Sequence, residues 1–433
     1  MKPSRDVWNR LSPDPILSMR QGAAAALVIC AVAFNPLLAV VNAHLMPIAV
    51  GHVMLAEVAI VAAAAALLAS AGRRIMLPWM ALLFLVLAIA VLLGLGNAEF
   101  DPKHARDVLI IPIFIMLGML CTSYGLIKLV LALQAGVLVF LIFEAVYPER
   151  FGDLFNVISY YMNTRFAGMD LPAWFQDRTL WFAADRPGDE RFLLDSLGIH
   201  RLSSVFLEPV SLGNYCIVMT IIILAFWQRL TAVQKFFLSA STAAILIGSD
   251  GRLAIVTCLA LVAGSSLFPR LPRYTNALYL PVALMGAAVA VRLLGLEPVG
   301  DTFSGRIAHG IDALLGLDAH ALLGMRQSVA AHMVDSGIAY FVVTQSVVGV
   351  GLIWLYCSLG LYQDTKTERV FVHGVSLYIA LNLLVSFSLF SIKTASLLWF
   401  AYGVIAAERT GVLKRSIAPA KPPTGVKPAA AHA

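Results

Sequence analysis

Residues 75–96 read IMLPWMALLFLVLAIAVLLGLG, a run with no charged, amide or hydroxyl side chain. About 20 apolar residues in a helix cross the hydrocarbon of a bilayer. The run follows Arg73 and Arg74 directly, as a spanning helix does when it leaves a basic inner loop.

Outward from this run the same pattern recurs. Apolar stretches cover residues 22–41, 47–69, 75–96, 108–126, 129–147, 207–227, 236–249, 252–268, 275–294, 337–359, 371–391 and 394–409. These predict an all-α polytopic membrane protein of about 12 transmembrane helices. The seventh stretch is short, and little more than Lys393 separates the last two. Val41-Asn42-Ala43 resembles a signal cleavage site. About 20 mostly polar residues precede the first stretch, however, so it reads as an uncleaved span.

Composition agrees. Of 433 residues 60% are apolar and 13% charged, about half the charge of a soluble protein. Mean hydropathy is +0.84. Soluble globular, disordered, collagenous and coiled-coil classes are excluded. The net charge of +6 belongs to inner loops, and no basic run with interleaved aromatics signals nucleic acid. Cys30, Cys121, Cys216, Cys258 and Cys357 lie in apolar stretches without paired spacing and read as packing residues.

With the N-terminus inside, 18 of the 31 Lys and Arg residues fall in inner segments, against five acidic residues. Both termini are then cytoplasmic, which requires an even number of spans. The expected organisation is a cytoplasmic N-terminus (1–21), a transmembrane catalytic domain (22–409) and a disordered cytoplasmic tail (410–433). Two outer loops, 148–206 and 295–336, are too long for simple connections and are where function is expected.

In the first loop, Phe151, Leu154, Phe155 and Ile158 share a helical face. Trp174, Phe175, Trp181 and Phe182 follow among Asp177, Arg178, Asp185 and Arg186. This suits a helix at the bilayer interface, or a lid over a sugar substrate. The loop ends at Arg201, and Glu208 precedes Pro209 at the mouth of a span, where an ionisable residue is costly. The turn Gly248-Ser249-Asp250-Gly251-Arg252 presents an acid and an arginine, or is a plain polar hairpin. The second loop carries Arg306, His309, Asp312, His320, Arg326, His332 and Asp335. No His spacing there makes a metal site. His309 and His320 read as surface histidines. His332, expected at the start of a helix beside Asp335, is the better acid–base candidate. Arg201, Arg252, Arg306 and Arg326 share one membrane face, where guanidinium groups can grip a pyrophosphate without a metal.

These features resemble the Wzy-type polysaccharide polymerase and O-antigen ligase superfamily of integral membrane glycosyltransferases, which are GT-C-like in fold. The R-x-x-S-x-F-x-x-P string runs from Arg201 to Pro209. The short outer turn is Ser249 to Arg252. Arg306 and then His332 precede a span containing Gly349-Val350-Gly351. The resemblance covers residues 195–360, with Glu208 departing from the family's small or Asn-like residue before the proline. On overall layout the chain is similar to xanthan-type exopolysaccharide polymerases.

The resemblance implies metal-independent transfer at the periplasmic face of the bacterial inner membrane, without a cofactor. The donor would be a glycan on undecaprenyl pyrophosphate, the acceptor a hydroxyl of the next lipid-linked repeat, and the product a growing polysaccharide. Membrane lipid, a flippase and a chain-length regulator would be partners. Arg201, Arg252, Arg306 and Arg326 would bind the pyrophosphate. His332 would be the base, with Glu208 or Asp335 as substitutes. A ligase moving glycan to another acceptor is the near alternative. A transporter or flippase is the distant one, and predicts similar halves and ionisable residues within spans. Glu57 and Glu144 lie within spans, yet no internal repeat is visible.

Overall fold

The computed structural model describes residues 15–71, 76–97, 101–167, 178–180, 192–193, 200–298, 302–333 and 336–409. The chain order begins α1 (Pro15–His44), α2 (Val50–Ala71), α3 (Leu77–Gly96), α4 (Pro102–Gly118), α5 (Ser123–Val146), α6 (Pro148–Phe155), α7 (Val157–Asn163) and α8 (Pro209–Phe226). It continues α9 (Ala232–Ser249), α10 (Arg252–Gly264), α11 (Thr275–Leu294), α12 (Phe303–Leu315), α13 (Ala319–Leu322), α14 (Gly337–Leu359), α15 (Lys366–Val385) and α16 (Ile392–Arg409). Local chemistry sets many starts. Asp101 accepts from Lys103 N at 2.8 Å to begin α4, and Thr231 and Thr365 form capping boxes at α9 and α15.

Among the described residues, nine helices are long and apolar enough to cross a membrane: α1, α2, α3, α5, α8, α9, α11, α14 and α15. The chain is a multi-pass membrane protein. Three expected spans fall outside this set. α10 has 13 residues, α4 has 17, and α16 carries Lys393, Glu408 and Arg409 in 18.

Packing explains α4 and α16. They press against each other at the centre of the bundle. A Cβ on Gly403 would lie 1.8 Å from the Ile115 carbonyl oxygen, and one on Gly118 2.0 Å from that of Phe400. Residues 110–121 and 392–407 are all buried. Neither helix needs an apolar coat, because neighbouring helices cover these buried segments, Lys393 included. The apolar coat belongs to peripheral helices, where Leu55, Val58, Phe84, Leu92, Val282 and Met285 point outward.

Hydrogen bonds tie the helix ends into two groups. At one end Asn42 bonds Ser159, Asn97 bonds Gly324, Ser203 bonds Glu144 and Asn214 bonds Ser388. At the other, Arg20 donates to Ser70 O, Arg229 pairs with Glu408, and Arg369 donates to Pro269 O. Both long connections emerge at the first end. There α6 and α7 turn the predicted aromatic face inward. Phe151, Phe155 and Ile158 are buried and Leu154 half-buried, and the two phenylalanines pack with Ala39, Ile48, Phe140 and Phe143 of the surrounding bundle. Asn156, left-handed at φ 35°, breaks the helix between them. Trp174, Phe175, Asp177, Trp181, Phe182, Asp185 and Arg186 lie outside the described residues.

Candidate functional site

The first end of the bundle holds a concentration of buried charge. Lys393, one residue into α16, has its Nζ 3.5 Å from Glu208 Oε2 and 3.3 Å from the Phe206 carbonyl oxygen. Glu208, the residue before α8, also accepts from Arg165 Nη1 at 3.0 Å and from Ser211 Oγ at 3.0 Å. On α4, Arg106 bridges Glu57 of α2 and its own neighbour Asp107. Asp107 in turn accepts from the Tyr340 hydroxyl at 2.6 Å. Lys103 lies 3.4 Å from the same hydroxyl, with its Nζ 5.0 Å from the Tyr340 ring centre and 5.6 Å from that of Phe387. Both ion clusters lie at this end of the bundle, one around Glu208 and one around Asp107. Their cations include Lys103, Arg106, Arg165 and Lys393, and their carboxylates Glu57, Asp107 and Glu208.

A further carboxylate anchors the turn that leads to Glu208. Glu144 is 1% exposed and accepts from Ser203 N at 2.8 Å, Ser203 Oγ at 2.9 Å and Ser204 N at 2.6 Å. His200 Nε2 lies 3.3 Å from Glu144 Oε1, the oxygen that also accepts from Ser203 Oγ. Ser204 and Leu207 hold positive φ of 50° and 57°. The tight turn they build delivers Glu208 to Lys393. Arg201 is buried beside it, and Leu202 N donates to Gly248 O at 2.9 Å. The 248–252 turn is therefore docked on the 200–208 segment. Asp250, fully buried and left-handed at φ 46°, accepts from the Phe192 and Leu193 amides. It is a structural anchor for the long loop. Arg252 opens α10, half-buried.

The remaining predicted residues sit on the second loop. Arg306 is half-buried on α12, whose Gly310 carbonyl accepts from Ser336 Oγ at 3.1 Å. Arg326 is exposed and pairs with Asp318 at 2.6 Å. The Ala321 amide and Arg326 hold the Asp318 carboxyl below its usual range. His332 is exposed and closes a 3-10 helix, Gln327–His332, whereas α14 begins only at Gly337. His309, Asp312 and His320 are exposed. Asp335 lies outside the described residues.

The structure thus places Glu208 among ion clusters that the sequence reading assembled only in part. Lys393, Arg165, Lys103, Arg106, Asp107 and Tyr340 were not among the candidates. Two signals were present: a lone lysine interrupting an apolar run, and the dense Lys103-His104-Ala105-Arg106-Asp107 string before another. Among the described residues no three His, Cys, Asp or Glu side chains cluster as metal ligands would. Comparisons with protein-family models, with curated proteins and with solved structures return no match.

Proposed function

We propose that this chain is a membrane glycosyltransferase that polymerises undecaprenyl-pyrophosphate-linked repeat units at the end of the bundle carrying the ion clusters. In this reading the chain has twelve spans, with α4, α10 and α16 completing the nine. Both termini are cytoplasmic and the clusters face the periplasm. The observation that carries it is the meeting of cations from separate segments, Arg165 and Lys393 on Glu208, at the bundle end where Arg106 and Arg201 also lie. The Lys and Arg residues at the opposite end fit an inner face.

The chemistry follows from charge. The leaving pyrophosphate gains negative charge as the glycosidic bond breaks, and fixed cations in a poorly solvated site stabilise that charge. Arg201, Arg252, Arg306 and Arg326 remain the residues proposed to receive it, and Arg165, 40% exposed at its side chain, joins them. The acceptor hydroxyl gives its proton to His332 as it attacks the anomeric carbon. Glu208 has three partners already, so its role here is to hold Lys393 and Arg165 in place.

The test is genetic and chemical. Arg306→Ala and His332→Ala should each abolish polymer while single lipid-linked repeats accumulate. Normal polymer in both variants overturns the assignment. Purified protein should extend lipid-linked repeats in EDTA, and a strict metal requirement would count against charge stabilisation by side chains alone.

One observation favours a second reading, a lipid-linked glycan transporter. Glu57, Arg106 and Asp107 form a paired ion cluster within helices, as ion-coupled carriers do. Deletion separates the two. A lost polymerase leaves single repeats on the periplasmic leaflet, and a lost transporter leaves them on the cytoplasmic leaflet.

A further inference from the structure

Helix α14 is interrupted inside the bundle. Ser346 adopts φ 63° and ψ 158°, far from helical values. A serine in this conformation is unfavourable and persists only where its surroundings over-determine it. The break frees the Thr344 carbonyl, which a continuous helix would pair with the amide four residues on. That carbonyl accepts instead from Gln327 Nε2 at 3.2 Å. The second half of α14 is capped from within, Ser346 Oγ accepting from Gly349 N at 3.1 Å. Gln345, beside the break and 1% exposed, donates to the His104 carbonyl at 2.8 Å and so fastens this point to α4.

The other half of the joint is the segment 319–332. Gly324, left-handed at φ 75°, packs so closely that a Cβ there would lie 3.2 Å from Ser346 N and 2.9 Å from Leu93 Cδ2. Asn97, at the end of α3, clamps the segment from both sides of its amide. Its Nδ2 donates to Gly324 O at 2.8 Å, and its Oδ1 accepts from Gln327 N at 3.0 Å. Gln327 is buried, while its neighbour Arg326 and the nearby His332 are exposed at the same bundle end. A buried peg thus holds a short segment that carries, with the exposed His320, the two residues assigned to substrate above, Arg326 and His332.

We infer that Asn97 and Gln327 are positioning residues, seating the Arg326 and His332 segment in the break of α14 so that both side chains face the substrate in fixed geometry. This inference rests on the glycosyltransferase reading. The break in α14 is the socket and Gln327 is the peg. Neither residue touches the reacting atoms.

The experiment uses the full chain in lipid nanodiscs, with hydrogen–deuterium exchange and single-turnover kinetics on an undecaprenyl-pyrophosphate-linked repeat unit. Asn97→Ala and Gln327→Ala should raise amide exchange in 319–333 about tenfold or more, with α1 and α16 unchanged. The rate of transfer should fall about 10- to 100-fold, with KM within about twofold. Gln327→Glu keeps the length but sets a carboxylate against the Thr344 carbonyl, and should behave as Gln327→Ala. Asn97→Asp keeps the acceptor for Gln327 N and loses the donor to Gly324, and should fall between Asn97→Ala and the native chain. A purely structural role would lower the yield of folded protein and leave the rate per folded molecule unchanged. Unchanged exchange in the alanine variants overturns the seat. Raised exchange with an unchanged rate overturns positioning. A native protein inert toward the lipid-linked repeat overturns the glycosyltransferase reading, and with it the role in positioning, whereas the exchange data still decide whether the seat exists.

Discussion

Lys393 and Glu208 face each other at 3.5 Å across the first turns of α16 and α8, although 185 positions separate them in the chain. Each is mostly buried, with side-chain exposures of 8% and 18%. Arg165 adds a third member from the far side of the long loop. The contact fixes the central α16 against the turn that positions Arg201.

Breaking this pair strands a buried ammonium. Glu208→Gln should lower stability by about 3–5 kcal/mol, the usual cost of removing one partner of a buried ion pair. Adding Lys393→Met should recover most of the loss, since the buried ammonium is then gone and Arg165, which Glu208 also pairs, is 40% exposed to solvent. Thermal unfolding of the purified protein in detergent measures both. A single variant that melts with the native protein would refute the pairing.

Glu144 concentrates four contacts on one carboxylate. Glu144→Leu keeps the approximate volume but removes Oε2, which accepts from both the Ser203 and the Ser204 amides. Those buried amides then lack a partner, at a cost of about 1–3 kcal/mol each. The 200–208 turn should become sensitive to limited proteolysis before the rest of the chain does. Equal cleavage rates in native and variant protein would argue that the turn is held by other means.

At the centre of the bundle, α4 and α16 meet through glycines. Gly403→Ala places a methyl group on the Ile115 carbonyl, and Gly118→Ala places one on that of Phe400. Neither backbone can yield without separating the two helices, so a loss at or beyond the upper end of about 1–3 kcal/mol is expected. Gly136→Ala on α5 meets nothing within 4 Å and serves as the control. Size-exclusion chromatography of the three variants should show loss of the folded peak for the first two only.

The ion pair at the opposite end should matter far less. Arg229 and Glu408 lie 2.6 Å apart with side chains 39% and 31% exposed. Water screens such a pair, so Glu408→Gln should change stability by no more than about 1 kcal/mol. A shift as large as that of Glu208→Gln would mean that this end is buried by a partner or by lipid.

Much of the fold was legible because length and polarity are local. The run at 75–96 becomes α3 at Leu77–Gly96, and the run at 275–294 becomes α11 at Thr275–Leu294. Boundaries shifted where local chemistry overrode apolarity. Asp101 and Pro102 start α4 six residues before the apolar stretch that begins at Val108, and α4 ends at Gly118 where the helix was expected to continue. The candidate site was legible only in part. Glu208 stood out as a carboxylate in an apolar context. Lys393 looked like a gap between spans, because nothing near it in the sequence says that a carboxylate waits at its tip. The aromatic face of α6 was equally visible, but whether it met lipid or protein depended on where α5 lay.

By itself the sequence determined that this chain crosses a membrane many times and that its charged residues gather at helix ends. Those properties follow from water and hydrocarbon acting on each segment separately. Tertiary structure alone decided which charges meet, and that α4 and α16 occupy the centre. A buried ion is tolerable only beside its counter-ion, and the counter-ions here come from segments far apart in the chain. Glu57 finds Arg106, Glu208 finds Lys393, and Gln327 finds the carbonyl that the break at Ser346 sets free.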